Sequence, residues 1–183
     1  TPVVIDSAIT VSDVDNATLA SATVSVGTGF QTGQDVLAFT NTGAAAMGNI
    51  AASYNAATGV LTLTSAGQTA TTAQWQAALA SVTYTNSSDT PNTANRTINF
   101  VANDGATTSL IGSKIVSVAA VNDAPINAMP GAQSTQISSN FAFTAANGNL
   151  ISVADADTSP ITVTLAVTGG SLSLNGTTGL TFT

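Results

Sequence analysis

The sequence predicts an all-β fold, built from repeated domains and interrupted by one short helix. Short runs of β-prone residues are separated by Gly, Asn and Thr along the whole chain of 183 residues, a pattern typical of antiparallel strands joined by turns. Only 6% of the residues are charged, so Thr, Ser and Asn must supply much of the polar surface. A segment near the N-terminus recurs near the C-terminus, which indicates that the fold repeats.

Strand-like segments dominate the first seventy residues. Alternating or β-branched apolar residues occur in four stretches, which we predict to be strands: 3–5, 9–11, 19–26 and 35–40. Residues 44–52 are small and ambiguous, and we expect mainly loop there. Residues 51–55 and 59–64 are predicted to form a hairpin around a Thr-Gly turn.

One segment has a helical pattern. Residues 73–80 contain good helix formers throughout, and Thr71 or Thr72 is placed to cap them. Three apolar residues share one face at helical spacing: Trp75, Ala78 and Leu79. Because Trp75 lies on this face, the pattern favours core packing over a role as a binding aromatic.

The remaining predicted strands close the first domain. Residues 81–86 read as a strand, which is followed by a polar loop at 87–92. Residues 96–102 and 114–121 read as the last pair of strands. Asn103-Asp104-Gly105 begins the turn that joins this last pair.

An internal repeat sets the domain organisation. Residues 9–15 match 151–157 at an offset of 142 residues, and residues 37–40 match 180–183 at an offset of 143. Pro125 follows the last predicted strand and cannot donate to a β-ladder. We therefore expect three parts: a first domain lacking its N-terminal strand (1–121), a linker (122–125) and the N-terminal part of a second repeat (126–183). Such a division suggests a piece of a longer array.

The charged residues exclude several functions. All nine acidic residues are Asp, the only cations are Arg96 and Lys114, and the formal net charge is −7. Nucleic-acid binding is disfavoured because phosphates need Lys and Arg. No apolar run reaches about 18 residues, so membrane insertion is not expected. Without His, Cys or Glu there is little for general acid–base catalysis, and we expect no enzyme.

The motifs at the predicted domain ends resemble a known family. Ala120-Val121-Asn122-Asp123-Ala124-Pro125 resembles the joint of bacterial cadherin-like repeats in very large surface adhesins, and is similar to the linker of animal cadherins. Asp13-x-Asp15 and Asp155-x-Asp157 resemble the cadherin Asp-x-Asp pair, and Asn103-Asp104-Gly105 resembles the turn near a cadherin domain's end. Residues 24–84 resemble units related to chondroitin-sulfate-proteoglycan repeats.

This resemblance implies Ig/cadherin-like β-sandwich repeats in tandem, with Ca²⁺ held by oxygen ligands at the joints. The implied ligands are carboxylates and one amide: Asp13, Asp15 and Asp104 at one pole, Asn122, Asp123, Asp155 and Asp157 at the joint, and Asp89 at the lower pole. Animal cadherins also use Glu ligands, which this chain lacks, so it would hold fewer ions or hold them more weakly.

A second interpretation of these motifs needs no metal. Asp-x-Asp-Asn and Asn-Asp-x-Pro are also ordinary turn sequences, in which the side chain accepts hydrogen bonds from nearby backbone N–H groups. Asp6 and Asp35 have no counterpart at a repeated position, and we expect them to be solvated surface residues.

Two functions fit these observations. The first is a non-catalytic, Ca²⁺-stiffened extender or adhesion module of a large extracellular or cell-surface repeat protein. Its partners would be neighbouring repeats or other copies, with a surface glycan or protein as a further candidate. The second is a subunit of an extracellular filament or sheath, in which a strand from one copy completes the fold of another.

Overall fold

The computed structural model describes residues 1–157 and 160–181. The chain divides into two compact units, with Asn122 ending the first and Asp123 beginning the second. Regular structure in the described residues consists mainly of antiparallel strands. The predicted all-β fold is therefore confirmed. The two units are described separately below.

The first unit contains eight strands and two helices. The strands are β1 (Val3–Val4), β2 (Ser21–Val26), β3 (Asp35–Ala38), β4 (Ile50–Asn55), β5 (Val60–Ser65), β6 (Thr83–Asn86), β7 (Arg96–Asn103) and β8 (Gly112–Val116). The helices are α1 (Ala44–Met47) and α2 (Thr72–Ala80), and a 3₁₀ turn spans Ala66–Gln68.

Two antiparallel sheets enclose the core of the first unit, giving a sandwich-like arrangement. One has the order β1-β6-β3, and the other has the order β4-β5-β2-β7-β8. The alternation in β2 faces Ala22, Val24 and Val26 into the core, as a half-buried strand requires. Leu37 and Tyr84 from the smaller sheet join the same hydrophobic cluster.

The predicted helix is confirmed as α2. Thr71 is its N-cap and forms a capping box with Gln74, in which each side chain bonds the other residue's backbone N–H. The side chain of Trp75 is fully buried, and its indole Nε1–H donates to the carbonyl of Leu19 at 3.0 Å. Trp75 is thus a core residue whose polar edge is satisfied.

Some predictions of secondary structure in the first unit are wrong. Residues 9–11 form no strand, because the backbone N–H of Val11 donates to the side chain of Gln76 at 3.2 Å in place of a ladder. The expected loop contains the single-turn helix α1, which buries Met47. The last strand, β8, begins two residues earlier than predicted and ends at Val116.

The described residues of the second unit form little regular structure. Strands β9 (Ile126–Ala128) and β10 (Ser152–Ala154) pair antiparallel, and a 3₁₀ turn spans Ala145–Asn147. The rings of Phe141 and Phe143 meet edge to face with centroids 5.3 Å apart. Residues 180–181 of the second sequence match are described, whereas residues 182–183 lie outside the described part of the chain.

Candidate functional site

The Asp13 loop connects the N-terminal segment to β2. Its half-buried Asp13 accepts two backbone hydrogen bonds at Oδ1, from the N–H of Asp15 at 2.9 Å and of Asn16 at 2.7 Å. The side chain of Asp15 lies on the surface. This geometry is the local turn that the sequence allowed, with one carboxylate oxygen holding the loop closed.

The turn after β7 brings Asp104 to the Asp13 loop. Its Oδ1 accepts from the backbone N–H groups of Ala106 at 2.8 Å and Thr107 at 2.7 Å. The bond from Thr107, followed by that from Ala106, lowers the pKa of Asp104. The Asn16 amide Nδ2 donates to the other oxygen, Oδ2, at 3.2 Å. The Asp13 loop and the Asp104 turn therefore meet at one end of the first unit.

The second unit contains an equivalent Asp-x-Asp loop. Asp155 follows β10, and its Oδ1 accepts from the backbone N–H of Asp157 at 2.8 Å. The pairing of Ala154 with Ile126 places the residues after β10 beside those that precede β9. As a result, the backbone N–H of Asp123 donates to Asp157 Oδ2 at 2.6 Å. The Asp155 loop therefore meets the backbone of Asp123 within the second unit.

Two other implied ligands, Asn122 and Asp89, belong to other segments of the chain. Asn122 is the last residue of the first unit. Asp89 is exposed in the loop between β6 and β7. Since Asp104 follows the far end of β7, the length of that strand, roughly 23 Å, separates its turn from the Asp89 loop.

The carboxylates of these loops are too few to form a metal site by themselves. Among residues 1–157 and 160–181, no group of three or more His, Cys, Asp or Glu side chains is close enough to hold a metal ion. Ca²⁺ takes six to eight oxygens and accepts carbonyls, amides and water as well as carboxylates. A Ca²⁺ site in either loop would therefore need backbone or amide oxygens in addition to its aspartates.

Asp35 contradicts the expectation of a solvated surface residue. Its side chain is fully buried, and Oδ2 accepts from Arg96 Nε at 2.8 Å. Oδ1 accepts from the hydroxyl of Tyr84 at 2.5 Å and from Asn86 Nδ2 at 2.7 Å. Burial acts to raise the pKa of Asp35, but the hydrogen bonds from Tyr84, Arg96 and Asn86 outweigh it and lower that pKa.

Asp6 is also paired instead of simply solvated. Its carboxylate lies 3.1 Å from Lys114 Nζ, and its side chain is only 13% exposed. The backbone N–H of Ala8 also donates to Asp6 at 3.1 Å. This bond, and then Lys114, lower the pKa of Asp6. Both cations of the chain are therefore paired with aspartates outside the two loops.

The alternation of buried and exposed positions along β3 and β7 could have revealed the buried pair of Asp35 and Arg96. Arg96 shares one strand face with the apolar Ile98 and Phe100, and Asp35 shares another with Leu37. A charged side chain that faces the core must be paired with an opposite charge. The core-facing positions of Arg96 and Asp35 therefore predict that these two residues pair with each other. The expectation of solvation relied on the absence of a repeated counterpart for Asp35, which carries no information about which face the residue occupies.

Comparison with known proteins gives one partial relative. Halomucin from Haloquadratum walsbyi is 41% identical to this chain over 86 residues, which make up 47% of the chain. The match spans 1% of halomucin, so that protein is thousands of residues long. No protein-family model matches the chain, and no solved structure matches it. None of the helices in the described residues has the length and apolar character needed to cross a membrane.

Proposed function

We propose that this chain is a non-catalytic extender or adhesion module of a very large, secreted or cell-surface repeat protein, and that Ca²⁺ stiffens its joints. One observation carries the proposal. The same Asp-x-Asp loop occurs in both units, and in each unit it is hydrogen-bonded to a second acidic segment: Asp104 in the first, and Asp123 in the second. A repeated loop at a domain end is typical of a construction element.

The similarity to halomucin supports the repeat-protein part of the proposal. The matched segment is only 1% of halomucin, in keeping with a module that is one small part of a very long chain. The name halomucin, a mucin-type name, is in keeping with an extracellular or cell-surface location for this chain. The scarcity of charged residues and the absence of Cys fit a secreted module that does without disulfides.

The loops bring oxygen-bearing side chains near one another, and this proximity supports a role for a cation. The backbone N–H of Asp123 donates to the carboxylate of Asp157, and the amide Nδ2 of Asn16 donates to the carboxylate of Asp104. An Asn amide can rotate by a half-turn to present Oδ1 in place of Nδ2, so the same contact can serve a metal ion. Ca²⁺ would also relieve the repulsion between neighbouring carboxylates, and the Asp-x-Asp loop would then fix the linker more firmly.

Thermal unfolding with and without calcium tests this function. We expect millimolar Ca²⁺ to raise the melting temperature relative to EGTA by about 5 °C, because a ligand that binds only the folded state stabilises it. Replacing Asp155 and Asp157 by Ala should remove the part of the response that belongs to the second unit. Asp6→Asn, outside both loops, is the matched control and should keep the full response.

A filament or sheath subunit is the second candidate. The observation that favours it is an apolar segment in the second unit, residues 161–167, which forms no β-ladder in the described part of the chain. Exposed, unpaired strands of this kind can receive a strand from another molecule. Light scattering over a range of concentrations separates the two functions. Growth into polymers would favour the filament, whereas a monomer at all concentrations would exclude it.

A further inference from the structure

Residues 161–167 have the pattern of a central strand without the strands that would cover it. They read Ile-Thr-Val-Thr-Leu-Ala-Val, with apolar side chains at every second position, which is typical of a strand with one buried face. The structure leaves this face open. Val163, Leu165 and Val167 are 54%, 53% and 50% exposed. Residues 160–181 contain no charged side chain that would protect such a segment from association.

The internal repeat identifies the counterpart of this segment in the first unit. The offset changes from 142 to 143 between Asp157 and Leu180, and placing this one-residue insertion before Ile161 keeps the apolar faces in register. Leu165 then corresponds to Ala22, and Val167 corresponds to Val24. Ala22 and Val24 lie in β2 and are only 1% and 0% exposed. The same side-chain positions are thus covered in one unit and open in the other.

The first unit also shows which strands flank these positions. Strand β2 is the middle strand of its sheet, between β5 and β7. Ala22 lies opposite Leu63 of β5 and Ala102 of β7, while Val24 lies opposite Leu61 and Phe100. In the described residues from Asp123 onward, the only paired strands are β9 and β10, so neither flanking strand has an equivalent there.

We propose that residues 161–167 are an acceptor strand that receives two antiparallel strands with the chemistry of β5 and β7. Each would present Leu, Phe or Ala at alternate positions toward the core, and Thr, Val or Asn on the other face. The partner is therefore the later part of a repeat of this same kind. This inference rests on the proposed function of the chain as a repeat module.

A folded second copy of the chain does not fit this acceptor. Strand β5 already pairs with β4 and β2, and β7 already pairs with β2 and β8. Both edges of each strand are occupied, so a second copy would have to open its own five-stranded sheet to donate either one. The partner must instead offer these strands before they are paired.

An in-phase fusion tests the acceptor. Because Thr183 matches Thr40 in the repeat, the full chain is extended after Thr183 with a copy of residues 41–121, which supplies strands of the β5 and β7 kind. The control carries a Gly/Ser-rich tail of the same length. Hydrogen exchange of residues 161–167 is measured by mass spectrometry in EGTA. We expect exchange to slow by about tenfold or more in the repeat fusion and to stay fast in the control.

Two substitutions in the repeat fusion test which face of residues 161–167 is covered. Leu165→Asp should abolish the protection of residues 161–167, whereas Thr164→Asp, on the opposite face, should retain it. The exchange of residues 21–26 in β2 reports in each variant that the first unit is folded. Equally fast exchange in both fusions would overturn the proposal, as would equal effects of the two substitutions.

The solution mass of the unmodified chain completes the test. A monomer supports the proposed partner, whereas dimers that are lost in Leu165→Asp would assign the face to a second copy and overturn the proposal. Because exchange is measured in EGTA, protection in the repeat fusion does not depend on calcium. If calcium produced no response but residues 161–167 were protected, the proposal of a stiffened joint would fail and the proposal of an acceptor strand would stand.

Discussion

The Nε of Arg96 donates to Asp35 Oδ2 at 2.8 Å, and both side chains are fully buried. This pair connects the first residue of β3 in one sheet to the first residue of β7 in the other. Arg96 also donates through Nη1 to the carbonyl of Ala94, while Tyr84 and Asn86 satisfy the second oxygen of Asp35. The two sheets of the first unit are thus joined by a charged contact as well as by apolar packing.

Breaking this pair from either side should destabilise the first unit strongly. We expect Asp35→Asn or Arg96→Met to lower the free energy of unfolding by about 3–5 kcal/mol, because each leaves a buried charge without its partner. The double variant should lose less than the sum of the two, as measured by urea unfolding.

Asp6→Asn is the matched control for this cycle, since it removes a pair whose Lys114 side chain is 52% exposed. Its cost should be much smaller than that of either buried variant, because an exposed ion pair contributes little to stability. Strictly additive losses for Asp35 and Arg96 would show that the two side chains are not coupled.

Tyr84 should make the first unit sensitive to alkali. Burial, then the hydrogen bond to Asp35 and its negative charge, raises the pKa of Tyr84 to about 12. Since the unfolded pKa is about 10, the neutral hydroxyl contributes its full stability below about pH 10, and this contribution is lost as the pH rises through about 12.

Tyr84→Phe tests this dependence. Urea unfolding of the parent chain should show a loss of roughly 1–3 kcal/mol between about pH 9 and about pH 12, and the variant should show a smaller one. Some loss should persist because burial, followed by the charge of Asp35, also raises the pKa of Tyr54. An identical pH dependence in parent and variant would contradict the assignment to Tyr84.

Trp75→Phe should destabilise the first unit by about 1–3 kcal/mol. Phe cannot donate the indole hydrogen bond, so the carbonyl of Leu19 loses a buried donor, and the smaller ring leaves a gap in the core. Thermal unfolding followed by circular dichroism measures the loss. A melting temperature equal to that of the parent chain would contradict a packed, hydrogen-bonded core position for Trp75.

Local sequence patterns predicted those strands and helices whose apolar faces are also buried by tertiary packing. The alternation of residues 19–26 identified β2, and the Thr71 cap with its helical apolar face identified α2. Both predictions were correct because the apolar face that the sequence pattern defines is the face that the fold buries. The turn geometry of Asp13 and Asp155 was likewise one of the two interpretations that the sequence allowed.

Other features depend on distant residues that no local pattern reveals. Residues 9–11 have the composition of a strand, but Gln76, 65 positions beyond Val11, takes the backbone N–H that a ladder would need. The Ala44–Met47 helix is a single turn whose first carbonyl accepts from the side chain of Gln74. The partner of Asp35 also lies 61 positions away, but here the strand faces of Asp35 and Arg96 do indicate the pair.

Direct calcium binding tests the central claim of a metal-stiffened joint. Isothermal titration of the full chain with Ca²⁺ should give saturable binding. Replacing Asp155 and Asp157 by Ala should reduce the number of sites, and Asp6→Asn should leave that number unchanged. A titration without binding heat, confirmed by equilibrium dialysis that retains no Ca²⁺, would contradict the claim and leave the two Asp-x-Asp loops as hydrogen-bonded turns alone.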